Sequence, residues 1–193
     1  MPFVYAHTRK ACYQYSWDWA PFLNTMGIWQ SVYLRSYKEV TVDYVWVRTR
    51  MVSQEKATIN FAVALKEVPS GGLEGEYKYT IELANGKELA SFPAKEKYSY
   101  YDVHIEEPQL WWPNGIGEPY IYDFVVKLMK GDSLVEEKKI PFGIRTVELD
   151  LKDKGFTVKV NGYPVYCKGA NYVPLDMFYP RLAGGKWKGG NTI

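Results

Sequence analysis

Apolar and polar residues alternate with period two across residues 39–146, and no helical period competes with that rhythm. A chain patterned this way buries every second side chain and wets the others, so it folds as strands with one face on a core. Val40, Val42, Tyr44 and Trp46 set one apolar face in register, and Ile59, Phe61, Val63 and Leu65 repeat it after a polar turn at 53–56. Tyr77, Tyr79, Ile81 and Leu83 make a third strand. Asn85-Gly86 then offers the positive φ angles of a tight turn into a fourth strand over 87–92. Tyr101, Val103 and Ile105 supply a fifth strand, Tyr122, Phe124, Val126 and Leu128 a sixth, and residues 134–140 return as a seventh after Gly131-Asp132. Seven such strands predict a mainly β chain whose middle is an immunoglobulin-like β-sandwich.

The flanks read differently. Residues 109–119, Gln-Leu-Trp-Trp-Pro-Asn-Gly-Ile-Gly-Glu-Pro, form a loop between two strands. From Val147 onward, Gly155-Phe-Thr-Val-Lys-Val and Asn161-Gly162 predict a hairpin that leads into a buried strand near 163–171. Residues 182–193 are Gly-rich and end without an element to close anything, as if cut off. Three pieces are expected: 1–36, 37–146 and 147–193, of which only the middle one folds unaided.

Composition narrows the function classes. With 17 Tyr, 7 Trp and 8 Phe, the chain favours strands and surfaces that stack on sugars or bases. Its 24 basic and 22 acidic residues are interspersed, without the basic stripe that nucleic acid requires, so no nucleic-acid partner is expected. Cys12 and Cys167 match no metal or redox spacing and read as two buried thiols. No stretch approaches the ~18 apolar residues of a membrane span, and the first residues lack a basic and apolar leader, so no membrane partner is expected. No Asn has Ser or Thr two places on. The compartment stays open.

Four segments in a fixed order then carry a resemblance. They are Arg9-Lys-Ala-Cys-Tyr-Gln-Tyr-Ser-Trp-Asp-Trp-Ala-Pro with Gly27-Ile-Trp; Trp111-Trp-Pro-Asn-Gly with Gly117; Phe142-Gly-Ile-Arg-Thr-Val-Glu-Leu; and Asn161-Gly-Tyr-Pro-Val with Lys168-Gly-Ala-Asn-Tyr-Val-Pro-Leu-Asp-Met-Phe. Together they resemble the β-mannosidases of glycoside hydrolase family 2. Ala20, Tyr172 and Leu175 stand where that family commonly has Gly, Trp and Ala. The resemblance implies the tail of a jelly-roll domain over 1–36, a sandwich over 37–146 and the first strands of a (β/α)₈ barrel over 147–193. It also implies a parent enzyme that removes terminal non-reducing β-D-mannose from a β-mannoside or oligosaccharide with retention, without a cofactor. The alternative is a non-catalytic carbohydrate-binding or adhesion β-sandwich module. A third reading is another family 2 specificity, for β-galactosides or β-glucuronides.

A retaining glycosidase works with two carboxylic acids about 5 Å apart. The family places both as glutamates on later barrel strands, one in an Asn-Glu pair, and no Asn-Glu occurs here, so no catalytic residue is expected within these residues. Glu106-Glu107 and Glu136-Glu137 read as solvated surface charge. His7 and His104 stand alone, and Gly184-Gly185 and Gly189-Gly190 lack the strand and helix of a nucleotide fingerprint, so no metal or phosphate site is expected. Trp17-Asp18-Trp19 is the sharpest feature, because a carboxylate between indoles can accept sugar hydroxyls while a ring packs on the sugar's C–H face. Equally, Asp18 could cap a turn before Pro21. The resemblance implies substrate binding by Trp17, Asp18 and Trp19 and structural packing for Trp111 and Trp112. Asn171 and Tyr172 fall at the catalytic end of the first barrel strand, where packing and substrate contact both stay open.

Overall fold

The computed structural model describes residues 7–28, 30–38, 40–66, 68, 72, 73, 77–152, 155–178, 180 and 181. Trp29 of the Gly-Ile-Trp segment and the Gly-rich end at 182–193 lie outside them. The chain divides into two compact units, Met1–Arg35 with Lys168–Ile193, and Ser36–Cys167.

The larger unit is mainly β. Strands β1 (Thr41–Val52), β2 (Lys56–Lys66), β3 (Tyr77–Leu83), β4 (Glu88–Pro93), β5 (Tyr98–Glu106), β6 (Tyr122–Lys130) and β7 (Ser133–Phe142) follow the seven alternating segments. They form two antiparallel sheets, β1-β2-β5 and β4-β3-β6-β7, which face each other as a sandwich. The alternation explains the core. Ile59, Phe61, Val63 and Leu65 of β2 and Val103 and Ile105 of β5 point inward from one sheet. Tyr77, Tyr79 and Ile81 of β3 and Phe124, Val126 and Leu128 of β6 meet them from the other. Phe61 meets Phe124 edge-on, ring centroids 5.2 Å apart. The β3–β4 turn is made as expected, although only Gly86 takes a positive φ, 85°, while the Asn85 side chain accepts from the Lys87 N–H at 3.0 Å.

In β1 the expected inward face is broken. Val42 pairs with Leu65 and Tyr44 with Ala64, so Asp43 is an extra residue, a β-bulge that shifts the pleat by one. Beyond it Val45 and Val47 point inward, and Tyr44 and Trp46 turn to solvent, 50% and 55% exposed. A single inserted residue is enough, because a one-residue slip exchanges the two faces of a strand.

Glu136 corrects a second expectation. Its carboxylate is not solvated surface charge: it accepts the Thr41 hydroxyl at 2.6 Å and the Val42 N–H at 2.8 Å, with the Lys138 ammonium 3.1 Å away. It thereby ties edge strand β7 to the start of β1 and satisfies a buried donor. Burial alone would raise its pKa, but the hydrogen bonds from Thr41, Val42 and Lys138 outweigh that and hold it below the usual glutamate value. A depressed native pKa contributes stability that is present above the ordinary glutamate value and lost as pH falls through the native one. Replacing Glu136 with Ala removes the acceptor of a buried N–H and is expected to cost about 2 kcal/mol in urea unfolding at neutral pH, with the difference from the unmodified chain shrinking in acid. An unchanged midpoint at neutral pH would contradict this role.

The buried Tyr79 hydroxyl has no hydrogen-bond partner among the described residues, and burial pushes its pKa far up. The Trp-Trp loop is packing, as expected. Gly143 leaves room for the Trp111 ring and Gly117 for the Trp112 ring, where an added Cβ would come within 2.8 Å of ring atoms. Arg145 covers the Trp111 ring at 4.7 Å, and Asn161 Nδ2 donates to the Trp111 carbonyl at 3.0 Å.

Strands β8 (Val147–Asp150), β9 (Thr157–Val160) and β10 (Tyr163–Val165) form a separate antiparallel sheet, with Asn161 and Gly162 both at positive φ in the turn between the last two. β10 is not the buried strand expected from the sequence, since Tyr163 and the following Tyr166 are exposed. No barrel closes among the described residues. Cys12 and Cys167 are both exposed, not the buried thiols expected.

Candidate functional site

The smaller unit holds the Trp17-Asp18-Trp19 segment. A 3₁₀ turn over Cys12–Tyr15 ends at Ser16, whose φ of 104° is uncommon for a residue with a side chain and turns the chain sharply. Trp17 and Ala20 then exchange two backbone hydrogen bonds, Trp17 N–H to Ala20 O at 3.0 Å and the reverse at 3.1 Å. This two-residue hairpin puts Asp18 and Trp19 at its tip, while Ala20 is buried beneath. Trp19 leans on Tyr13, ring centroids 5.4 Å apart and planes at 35°. Trp17 is 59% exposed, and Asp18 is also exposed.

The three predicted residues therefore lie in one short hairpin, Asp18 and Trp19 at its tip and Trp17 at its base, and all three are exposed. Chemically, the carboxylate accepts hydrogen bonds only, and each indole offers a flat apolar face with one N–H donor. That set suits a ligand with hydroxyls along its edge and C–H bonds on its face. Asp18 makes no turn-capping hydrogen bond among those the structure shows. Tyr13 and Gln14, which the sequence reading did not single out, support the tip: Gln14 Nε2 donates to the Met177 carbonyl at 3.3 Å and links it to the 168–181 segment.

In that segment Asp176 holds Arg181 by a two-pronged contact, Nε at 2.6 Å and a terminal nitrogen at 2.7 Å. The Arg181 hydrogen bond, followed by that of the Phe178 N–H, holds the Asp176 pKa below the usual aspartate value. Asn171 and Tyr172 are both exposed.

Comparison with known proteins follows this geometry. Residues 40–145, more than half of the chain, match the family described as Glycosyl hydrolases family 2. The β-mannosidase B of Aspergillus oryzae is 34% identical over 187 residues, covering 93% of this chain and 22% of the relative. That of Emericella nidulans is 34% identical over 190 residues with the same coverage. Among solved structures, the β-D-mannosidase of Dictyoglomus thermophilum superposes with a TM-score of 0.73 at 32% identity, over 90% of this chain and 22% of that one. The β-glucuronidase of Ruminococcus gnavus, with a TM-score of 0.50 at 21% identity over 68% of the chain, shares the fold. The chain spans about a fifth of the length of these relatives. With the sandwich, the Trp-Trp loop and the family match covering the same residues, this chain belongs to glycosyl hydrolase family 2.

Proposed function

We propose that the chain is part of a retaining glycosidase that removes terminal non-reducing β-D-mannose from β-mannosides, and that Trp17, Asp18 and Trp19 contact the sugar. In this reading residues 1–36 end a jelly-roll domain, 37–146 are a complete sandwich, and 147–193 open a (β/α)₈ barrel whose later strands supply the two catalytic glutamates. The observation that carries it is the Trp17–Ala20 hairpin, which holds an exposed Asp18, flanked in sequence by two exposed indoles, in a chain about one-third identical to proteins named β-mannosidases. The chain's own residues bind and orient; they supply neither the nucleophile nor the acid/base.

The test is the substrate profile of the product of the open reading frame enclosing residues 1–193. Aryl β-D-mannoside is expected to be hydrolysed with a kcat/KM at least tenfold above that for the matching β-galactoside and β-glucuronide. Preference for either of those sugars would overturn the mannoside specificity.

A further inference from the structure

The outer face of the β1-β2-β5 sheet carries four rings that the sandwich core does not use. The bulge at Asp43 turns Tyr44 and Trp46 outward, opposite Ala64 and Ala62 of β2, and those alanines lie opposite Tyr98 and Tyr100 of β5. Both alanines are buried although they sit on the outer face, because the larger side chains on either side wall them in. The result is a shallow trough floored by methyl groups. Trp46 and Tyr100 stand across it, 55% and 65% exposed, and two strand spacings, roughly 9.6 Å, separate their backbones.

One register step further, the same face changes from aromatic to polar. Asn60, 97% buried (3% exposed), donates to Asp102 Oδ1 at 2.7 Å and to the Tyr101 carbonyl at 3.3 Å, and accepts from Arg48 Nε at 3.2 Å. Arg50 holds the second Asp102 oxygen at 3.1 Å. The Arg48 guanidinium also lies 5.0 Å from the Trp46 ring centroid, so ring row and polar row are fixed to each other. Side chains ordered in advance lose little rotamer freedom on binding.

We infer that this face binds an extended β-1,4-linked hexopyranose chain, its sugar rings stacked on Trp46 and Tyr100 and its hydroxyls meeting the Arg48–Asn60–Asp102 row. A pyranose with mostly equatorial substituents has an apolar C–H face and a polar rim, the two chemistries that lie side by side here. A β-1,4 chain is a flat ribbon, matching a sheet face with rings two strands apart, whereas an α-1,4 chain coils away from it. The Asp102 carboxylate, which repels phosphate and already engages Arg50, disfavours a polyphosphate. Membership of a glycosidase family makes a glycan the polymer such a chain meets. The inference goes beyond the proposed function: Trp46 and Tyr100 belong to the larger unit, and the Trp17–Asp18–Trp19 tip to the other.

Calorimetric titration of the 193-residue chain tests it, with β-1,4-mannohexaose as ligand and maltohexaose as control. Saturable binding of mannohexaose, absent with maltohexaose, is expected. Trp46→Ala and Tyr100→Ala should each weaken it at least tenfold at unchanged melting temperature, since both side chains are exposed, and Trp46→Phe should retain part of it. Tyr163→Ala, which removes an exposed ring from the separate β8–β10 sheet, should leave it unchanged. No saturable binding, equal binding of the two hexasaccharides, or insensitivity to both alanine variants would overturn the inference. So would sedimentation showing a dimer that Trp46→Ala dissociates and mannohexaose does not, since the face would then pair two copies of this chain.

Discussion

Incubated alone with an aryl β-D-mannoside, the 193-residue chain is expected to release no more phenol than a heat-treated control. Double displacement through a glycosyl-enzyme requires one carboxylate as nucleophile and a second, kept protonated, as acid. Among the described residues, the carboxylates whose ionisation the fold shifts are Glu136, Asp150 and Asp176, and all three are pushed down by hydrogen bonds and cations, away from the direction a general acid needs. Glu136 is spent on Thr41 and Val42, Asp150 on Lys159 at 2.6 Å, and Asp176 on Arg181. Loss of such groups costs many powers of ten in rate. Turnover that survives repurification of the chain, with a dependence on enzyme concentration, would place a catalytic pair within these residues and refute the proposed division of labour.

In the product of the enclosing reading frame, Asp18→Ala is expected to lower kcat/KM for the β-mannoside by about a hundredfold, which corresponds to about 2.7 kcal/mol of transition-state stabilisation. The carboxylate sits at the tip of a hairpin whose two closing hydrogen bonds are backbone to backbone, so the tip keeps its shape without it. In the proposed site the variant lacks an acceptor for sugar hydroxyls, and charged hydrogen bonds of that kind are worth about 1.5–3 kcal/mol each. Part of that loss should appear in kcat, because a distorted sugar approaching the transition state gains more from the contact than the ground state does. Thermal stability should change little. If Asp18 merely shaped the turn, the pattern would reverse: about 1 kcal/mol less stability with near-normal turnover. Melting temperature and kcat/KM measured on one preparation separate the two.

Most strands were legible because β2, β3, β5 and β6 each keep one unbroken alternation, and the structure buries the residues that rhythm selects. β1 was misread from the same rule. Residues 44, 46, 48 and 50 run Tyr, Trp, Arg, Arg, while 45, 47 and 49 run Val, Val, Thr; the second phase is the better core face, and it conflicts with Val40 and Val42 unless one residue is inserted between them. That conflict of phase was the available sign of the bulge. Glu136 was illegible for another reason. Its partners, Thr41 and Val42, lie almost a hundred residues away, and no local pattern announces a carboxylate that closes a distant strand. At the candidate site, composition and order placed Trp17, Asp18 and Trp19 together, whereas the supporting roles of Tyr13, Gln14 and Ser16 depend on backbone angles and on contact with Met177.

A retaining β-mannosidase is the proposed parent of these residues. Proton NMR of aryl β-D-mannoside hydrolysis by the product of the enclosing reading frame tests it most directly, recorded before mannose mutarotates. Rapid hydrolysis is expected, with β-D-mannose as the first-formed anomer, the outcome of two successive inversions through a glycosyl-enzyme. First-formed α-D-mannose, or a folded protein that leaves the mannoside intact, would contradict it.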